Sequence, residues 1–349
     1  MKKPSGFKGR GSADNPKNRF EKVERVAEPE ADETSSPATQ FLPDTSKSII
    51  AYNDSPDVGF DASINPYRGC EHGCIYCYAR PTHEYLGFSA GLDFETRIMV
   101  KRDAPELLRK ELSSPRWKPQ VLAFSGVTDC YQPIEKKLEI TRGCLEVLAE
   151  FRNPVIIITK NHLVTRDIDI LSELARHDCA AVFVSITTLD EKLSGLMEPR
   201  ASRPARRLAA IAALARAGIP VGYLQAPMIP GLTDSEAPAI AAAAAEAGAR
   251  YAGYVPLRLP HAVKELFEDW LERNYPDRKE KVLNRIRAIR GGNLNDPNFH
   301  SRMRGQGIYA EQMAELFRLA CKKAGFKDRS PQLSTDHFRR PKEQLKLFA

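Results

Sequence analysis

No stretch of this chain approaches the roughly 20 consecutive apolar residues that cross a bilayer, so a helical membrane anchor is not expected. The start, Met1 to Gly6, is basic but lacks the apolar segment of a secretory signal. A cytoplasmic protein with no membrane partner is the expectation. A disulfide framework is missing too. Seven cysteines in 349 residues is an odd number, and three of them crowd into eight residues. Secreted scaffolds spread even numbers over smaller chains. Reduced thiols so placed point to a metal site or to catalysis. No GxGxxG follows the first strand-like run, which removes the main support for a doubly wound dinucleotide-binding fold. Most of the chain also lacks any charge excess. Residues 1–46 carry 8 basic and 8 acidic side chains, and residues 47–261 carry 25 of each. The whole net charge of +7 therefore comes from residues 262–349, with 19 basic and 12 acidic.

The chain divides by composition. Residues 1–46 are rich in Lys, Glu, Pro and Ser and poor in large apolar residues, as a disordered tail is. Residues 65–81 form a loop dense in Gly, Pro and Cys. Strand-like runs follow at Thr96–Lys101, Val121–Phe124, Val155–Thr159, Ala180–Ile186, Pro220–Gln225 and Tyr251–Val255. Helical periodicity lies between them, at Pro105–Leu112, Lys137–Phe151, Ile168–His177, Arg203–Ala217 and Glu236–Ala247. Gly218 and Gly248 stand where C-cap glycines belong. Strand–helix alternation at this spacing means a parallel sheet with helices outside it. Six units are two short of a closed (β/α)8 barrel. The expected fold is thus an α/β partial (β/α)6 barrel over 47–261, with a basic helical C-terminal region, 262–349.

The chemistry concentrates in Cys70, Cys74 and Cys77, spaced CxxxCxxC, with Tyr76 before the third. Three thiolates this close can wrap one cubane, each binding one iron. Gly69 and Gly73 let the backbone turn tightly around it. With no fourth local cysteine, one iron keeps an open position for an exogenous ligand. A Cys3His zinc site using His72 or His83 is the structural alternative, although zinc sites usually pair CxxC units.

CxxxCxxC ahead of a βα series resembles the radical S-adenosylmethionine (SAM) superfamily, over residues 60–260. Within it, Asn65–Cys70 and Cys77–Arg80 are similar to the spore photoproduct lyase-related, DNA repair photolyase-like group. So are Ser125–Glu135, Ile158–Lys160 and Glu198–Ala201. The resemblance implies a [4Fe–4S] cluster on Cys70, Cys74 and Cys77, with SAM chelating the fourth iron and an external electron donor of flavodoxin or ferredoxin type. It assigns Tyr76 to the adenine, the Ser125–Thr128 loop with Gly126 and Thr128 to the SAM amine, Lys160 to the carboxylate and Ser185 to the ribose. Glu198 and Arg200 are further candidates. Spore photoproduct lyase uses a cysteine as hydrogen donor at a position that falls on Gly126 here; Cys130, four residues on, is the candidate substitute.

The implied reaction is reductive cleavage of SAM to a 5′-deoxyadenosyl radical, followed by hydrogen abstraction from a substrate. A nucleic-acid lesion is the first substrate expectation. A protein or small-molecule substrate, or a zinc-binding nucleic-acid module, are the alternatives. Arg278, Lys281 and Arg285 are spaced to share one helix stripe. With Lys279, Arg287, Arg290, Arg302 and Arg304 they are expected to attract phosphates, while Val282, Leu283, Ile286 and Ile289 face the protein.

Overall fold

The computed structural model describes residues 6–21 and 36–341. Its strands are β1 (Gln40–Pro43), β2 (Ile50–Tyr52), β3 (Ala62–Ile64), β4 (Tyr67–Arg68), β5 (Arg97–Val100), β6 (Leu122–Phe124), β7 (Val155–Thr159), β8 (Ala180–Ser185), β9 (Val221–Met228) and β10 (Tyr251–Pro256). Strands β3, β6, β7, β8, β9 and β10 pair in parallel in that order, and β2 adds antiparallel to β3. The sheet does not close. It is the partial barrel, with six parallel strands.

The first strand is not the expected one. The run Thr96–Lys101 does form β5, but this strand joins β1 and β4 in a separate three-stranded sheet. The six-strand count is completed by β3, three residues long and directly before the cysteine loop. Ile64 and Ala62 are buried at its ends, and Ser63 lies close beneath Gly126.

Helices return the chain outside the sheet. The stretch Lys137–Phe151 is divided rather than continuous. Glu139 takes φ +52°, ending Glu135–Leu138 and opening Ile140–Phe151. The buried Glu135 carboxylate explains the break, since it accepts the Thr141 N–H at 3.1 Å and so caps the second helix. Ile140, Cys144, Leu145 and Leu148 then face the main core.

The C-terminal helices are not a loose appendage. Val263–Asn274 and Pro276–Ala288 share one apolar cluster with Cys74, Ile75 and Tyr76 of the cysteine loop. Val282, Leu283, Ile286 and Ile289 are all buried. Each contributes about 1.5–3 kcal/mol by burial, against well under 1 kcal/mol for an exposed charge pair, so apolar contact sets the helix rotation. That rotation leaves Arg278 and Lys281 exposed. Two other arginines are diverted to structure. Buried Arg290 donates to the carbonyls of Pro256, Leu257, Ser301 and Arg302, and Arg302 pairs with Asp57 and Ser55.

A further correction concerns the tail. Residues 6–21, within the stretch whose composition reads as disordered, lie against the cysteine loop. The Gly11 and Ser12 N–H groups donate to the two oxygens of buried Glu95, at 3.0 and 2.9 Å. Asn18 donates to the carbonyls of Glu84 and Phe88, and Arg19 pairs with Glu84 at 2.7 Å. Order here comes from satisfying buried carboxylates, not from apolar burial.

Candidate active site

The cysteine loop leaves β4 at the end of the barrel where the parallel strands terminate. Two of its turns require glycine. Gly69 (φ +81°) sits where a Cβ would come within 2.8 Å of His83 and 2.9 Å of the Phe94 carbonyl. Gly73 (φ +66°) sits where a Cβ would come within 2.7 Å of Glu95. Beneath them Arg80, fully buried, donates to the carbonyls of Gly73, Cys74, Ala90 and Gly91 and pairs with Glu95 at 2.5 Å.

Cys70 and Cys74 are buried and Cys77 is half-buried. Burial pushes all three thiols above their ordinary value, and each senses another of the three or the charges around them. Asp129 adds to the rise at Cys70 and Glu198 at Cys74; Lys160 opposes it at Cys74, and Arg80 with Lys160 at Cys77. Thiols in such surroundings are ionised by a bound cation rather than by solvent. Three thiols on one glycine-hinged loop, with Lys160 and Arg80 near enough to favour their ionised forms, are the donor chemistry an iron–sulfur cluster takes; among the described residues no three His, Cys, Asp or Glu side chains are gathered to hold a single metal ion. Of the two histidines offered for zinc, His72 is engaged by protein at both ring nitrogens and His83 at Nε2, its buried Nδ1 having no hydrogen-bond partner among the described residues. His72 Nδ1 lies 3.4 Å from Asp129 and its Nε2 3.2 Å from the Asn161 amide, while His83 Nε2 lies 2.8 Å from the Arg97 carbonyl.

Asp129 ties this loop to the barrel. It accepts the Thr159 hydroxyl and the Lys160 N–H at 2.7 Å each, and the Tyr131 N–H at 2.9 Å. Burial alone would raise its carboxyl, but His72 and these donors hold it down at about 2. Lys160 is thereby fixed at the end of β7, with its Nζ 5.9 Å from the Tyr76 ring centroid and donating to the Ala226 carbonyl at 3.2 Å.

Tyr76 itself is anchored from below. Its hydroxyl donates to Glu198 and lies 3.3 Å from Thr187 Oγ1. Thr187 donates to the same Glu198 oxygen at 2.8 Å. Glu198 in turn pairs with Arg207, which donates to the Ser185 carbonyl at 2.9 Å. All these side chains are buried. The structure thus brings Tyr76, Lys160, Ser185 and Glu198 together. Arg207 and Thr187 were not singled out by the sequence, because a lone Arg in a helix or Thr after a strand carries no motif.

The Ser125–Thr128 loop follows β6. The Gly126 carbonyl accepts the Tyr78 hydroxyl at 2.7 Å, next to Cys77. The Thr128 hydroxyl is committed to the Tyr67 carbonyl at 2.8 Å, so it braces the loop. Arg200 turns away from this group and pairs with Glu71 at 3.1 Å. Cys130, the candidate hydrogen donor, does not face the mouth. It is 0% exposed within the main core, its Sγ 3.9 Å from the Phe124 carbonyl. Cys130→Ala is accordingly expected to leave 5′-deoxyadenosine formation and product identity unchanged, at about 1–2 kcal/mol of stability. Altered or trapped products in that variant would count against this burial.

The radical SAM superfamily profile matches residues 64–244. A Mycobacterium tuberculosis protein, Rv2578c, itself without an assigned activity, is 35% identical over 248 residues, 70% of this chain and 72% of that one. The Methanocaldococcus jannaschii protein MJ0683, likewise unassigned, is 29% identical over 222 residues, 64% of this chain and 79% of that one. Among solved structures, spore photoproduct lyase complexed with a dinucleoside spore photoproduct shares the fold, with TM-score 0.57 at 16% identity, covering 82% of this chain and 80% of that one. Among the described residues, no helix is long and apolar enough to cross a membrane. The family uses a [4Fe–4S] cluster, SAM and an external reductant, and this chain, an enzyme of that class, belongs to the radical SAM superfamily.

Proposed function

We propose that this enzyme abstracts hydrogen from a nucleic-acid substrate in a lyase or repair reaction, with Cys70, Cys74 and Cys77 holding the cluster. When bound, the [4Fe–4S] cluster and SAM supply a 5′-deoxyadenosyl radical. The protein's work is orientation. Lys160, steered by Asp129, offers a cation for the SAM carboxylate between the cysteine loop and the Tyr76 ring. Tyr76, held by Glu198, offers its ring to the adenine. Ser185, at the end of β8, is the ribose candidate. Gly126 keeps the loop after β6 free of a side chain, so the backbone can approach the SAM amine; Thr128 holds that loop to β4.

The observation behind the nucleic-acid choice is the exposed pair Arg278 and Lys281, on a helix whose other face belongs to the apolar cluster that includes Cys74 and Tyr76. The fold likeness to a lyase that acts on a dinucleotide lesion agrees with it. Spore lesion repair itself is not proposed, since Gly126 stands at the donor position and Cys130 is buried.

The direct test incubates reduced enzyme and SAM with deuterated DNA and RNA and looks for deuterium in 5′-deoxyadenosine. Transfer from deuterated protein extracts alone would overturn the substrate reading. Arg278→Gln with Lys281→Gln should weaken oligonucleotide binding about tenfold at low salt and lower the salt slope by about 2. Adding Arg285→Gln should change less, because Arg285 is half-buried, 5.1 Å from the Tyr309 ring centroid. Titration of labelled oligonucleotide at two salt concentrations reads both effects.

A further inference from the structure

We propose that a basic hollow on the outer side of the cysteine loop is the docking face for a small acidic one-electron carrier protein. This rests on radical SAM activity and not on the choice of substrate. The hollow, about 590 Å³, is lined by Lys8, Arg10, Lys136, Lys137 and Arg200, with Glu71 the one acid among the described residues that line it. Glu71 is 2% exposed and already neutralised, since Arg200 lies 3.1 Å from one oxygen and the Ile134 N–H donates to the other at 2.8 Å. Lys8, Lys136 and Lys137 are exposed around it. The crowding of cations registers at Arg10. Burial first, then neighbouring Arg200, pulls its guanidinium below the ordinary value, although Glu95 and Glu71 act the other way.

The location favours electron entry. Glu71 follows Cys70 directly, and its N–H is fixed by Gln132 at 2.9 Å. The Arg200 N–H donates to the His72 carbonyl at 3.2 Å. The hollow therefore meets the cysteine loop at Glu71, one residue from Cys70. None of Tyr76, Gly126, Lys160 or Ser185 lines it, so a carrier seated here leaves the barrel mouth open for substrate. A hydrogen donor must reach the mouth, whereas an electron need not, and this separates a carrier from a nucleic-acid occupant. Exposed Phe41, with Ile134, supplies an apolar centre inside the basic rim, the composition of a protein interface. The rim would steer an acidic partner and speed its encounter. In the transfer the carrier loses one electron and the cluster gains it; no bond forms and no proton moves.

The test reverses Lys8, Lys136 and Lys137 together to Glu and leaves Arg10 and Arg200 in their hydrogen bonds. The probe is a plant-type [2Fe–2S] ferredoxin, an acidic protein. Its binding is measured by calorimetry, and 5′-deoxyadenosine formation is driven by reduced ferredoxin or by dithionite. The triple variant should bind ferredoxin about tenfold more weakly at low ionic strength, with the ferredoxin-driven rate falling in parallel and the difference shrinking with salt. The dithionite-driven rate should stay within about twofold of wild type, because a small reductant needs no docking face. Reversing Lys110, Arg116 and Lys118, which precede β6, should change neither. Unchanged ferredoxin affinity and rate would overturn the proposal. So would an equal fall with dithionite, or loss of oligonucleotide binding with ferredoxin binding intact. Wild-type protein that fails to cleave SAM even with dithionite would strike the radical SAM reading instead.

Discussion

Changing Cys70, Cys74 or Cys77 to Ala, one at a time, is expected to abolish SAM cleavage and the brown colour of reconstituted protein. Wild type should hold about four irons by cubane stoichiometry. In the proposed site each cysteine supplies one iron with its protein ligand, and among the described residues no other cysteine shares the loop to take its place. The same substitution at Cys144 or Cys179 should keep both iron and activity. Cys144 lies on the buried face of the helix Ile140–Phe151, and Cys179 points at the carbonyls of Arg152 and His177. Iron and sulfide content, with 5′-deoxyadenosine formed under dithionite, checks every variant. Wild-type protein that takes up one zinc and no iron under anaerobic reconstitution would overturn the assignment.

The cysteine motif and five of the six parallel strands were legible because their signals are local. Three cysteines lie within one loop, and β6 to β10 are apolar runs followed by helical periodicity. Strand β3 is only Ala62, Ser63 and Ile64, too short to show a period. The run at 96–101 has strand character, but nothing in it says which sheet it joins, and β1 captures it through the register Gln40 to Arg97. Glu135 breaks the helix after β6 by capping Thr141, a choice that depends on its burial. The N-terminal segment reads as solvated because its partners, Glu84 and Glu95, lie more than 60 positions away. The place of Cys130 after a strand allows two readings, a donor facing the mouth or a small hydrophobe packed under the loop, and tertiary packing selects the second. Lys160 and Ser185 are candidates through the resemblance, and their places at strand ends agree with the catalytic side of a β/α barrel. Of the side chains that hold Tyr76, Glu198 was a candidate through the resemblance, whereas Thr187 and Arg207 were not, since they come from separate elements and carry no motif.

Those partners carry the second large effect. Glu198→Ala should lower stability by about 3–5 kcal/mol, because it leaves Arg207 as an uncompensated buried charge. It also strips Tyr76 of its acceptor. The urea midpoint, followed by fluorescence of buried Trp117 and Trp270, should fall with its slope unchanged. Replacing both partners, as Glu198→Gln with Arg207→Met, should recover much of the loss, since an apolar substitute for a buried pair is often nearly neutral. Additive losses in the double variant would mean that the two side chains act separately. The pH dependence carries a sign. Burial alone would raise the Glu198 carboxyl, but Arg207, then Lys160, hold it at about 2, below the ordinary 4.5. A depressed carboxyl contributes stability that is whole above about pH 4.5 and is lost as pH falls toward 2. The stability gap between wild type and Glu198→Gln should therefore narrow on acidification across that window. A gap that stays constant would mean that Glu198 is not ionised against Arg207. SAM affinity gives the functional half of the test. If the ion pair positions Tyr76 for the adenine, Glu198→Gln should weaken SAM binding in protein that still folds at neutral pH, and Tyr76→Phe should weaken it in the same direction.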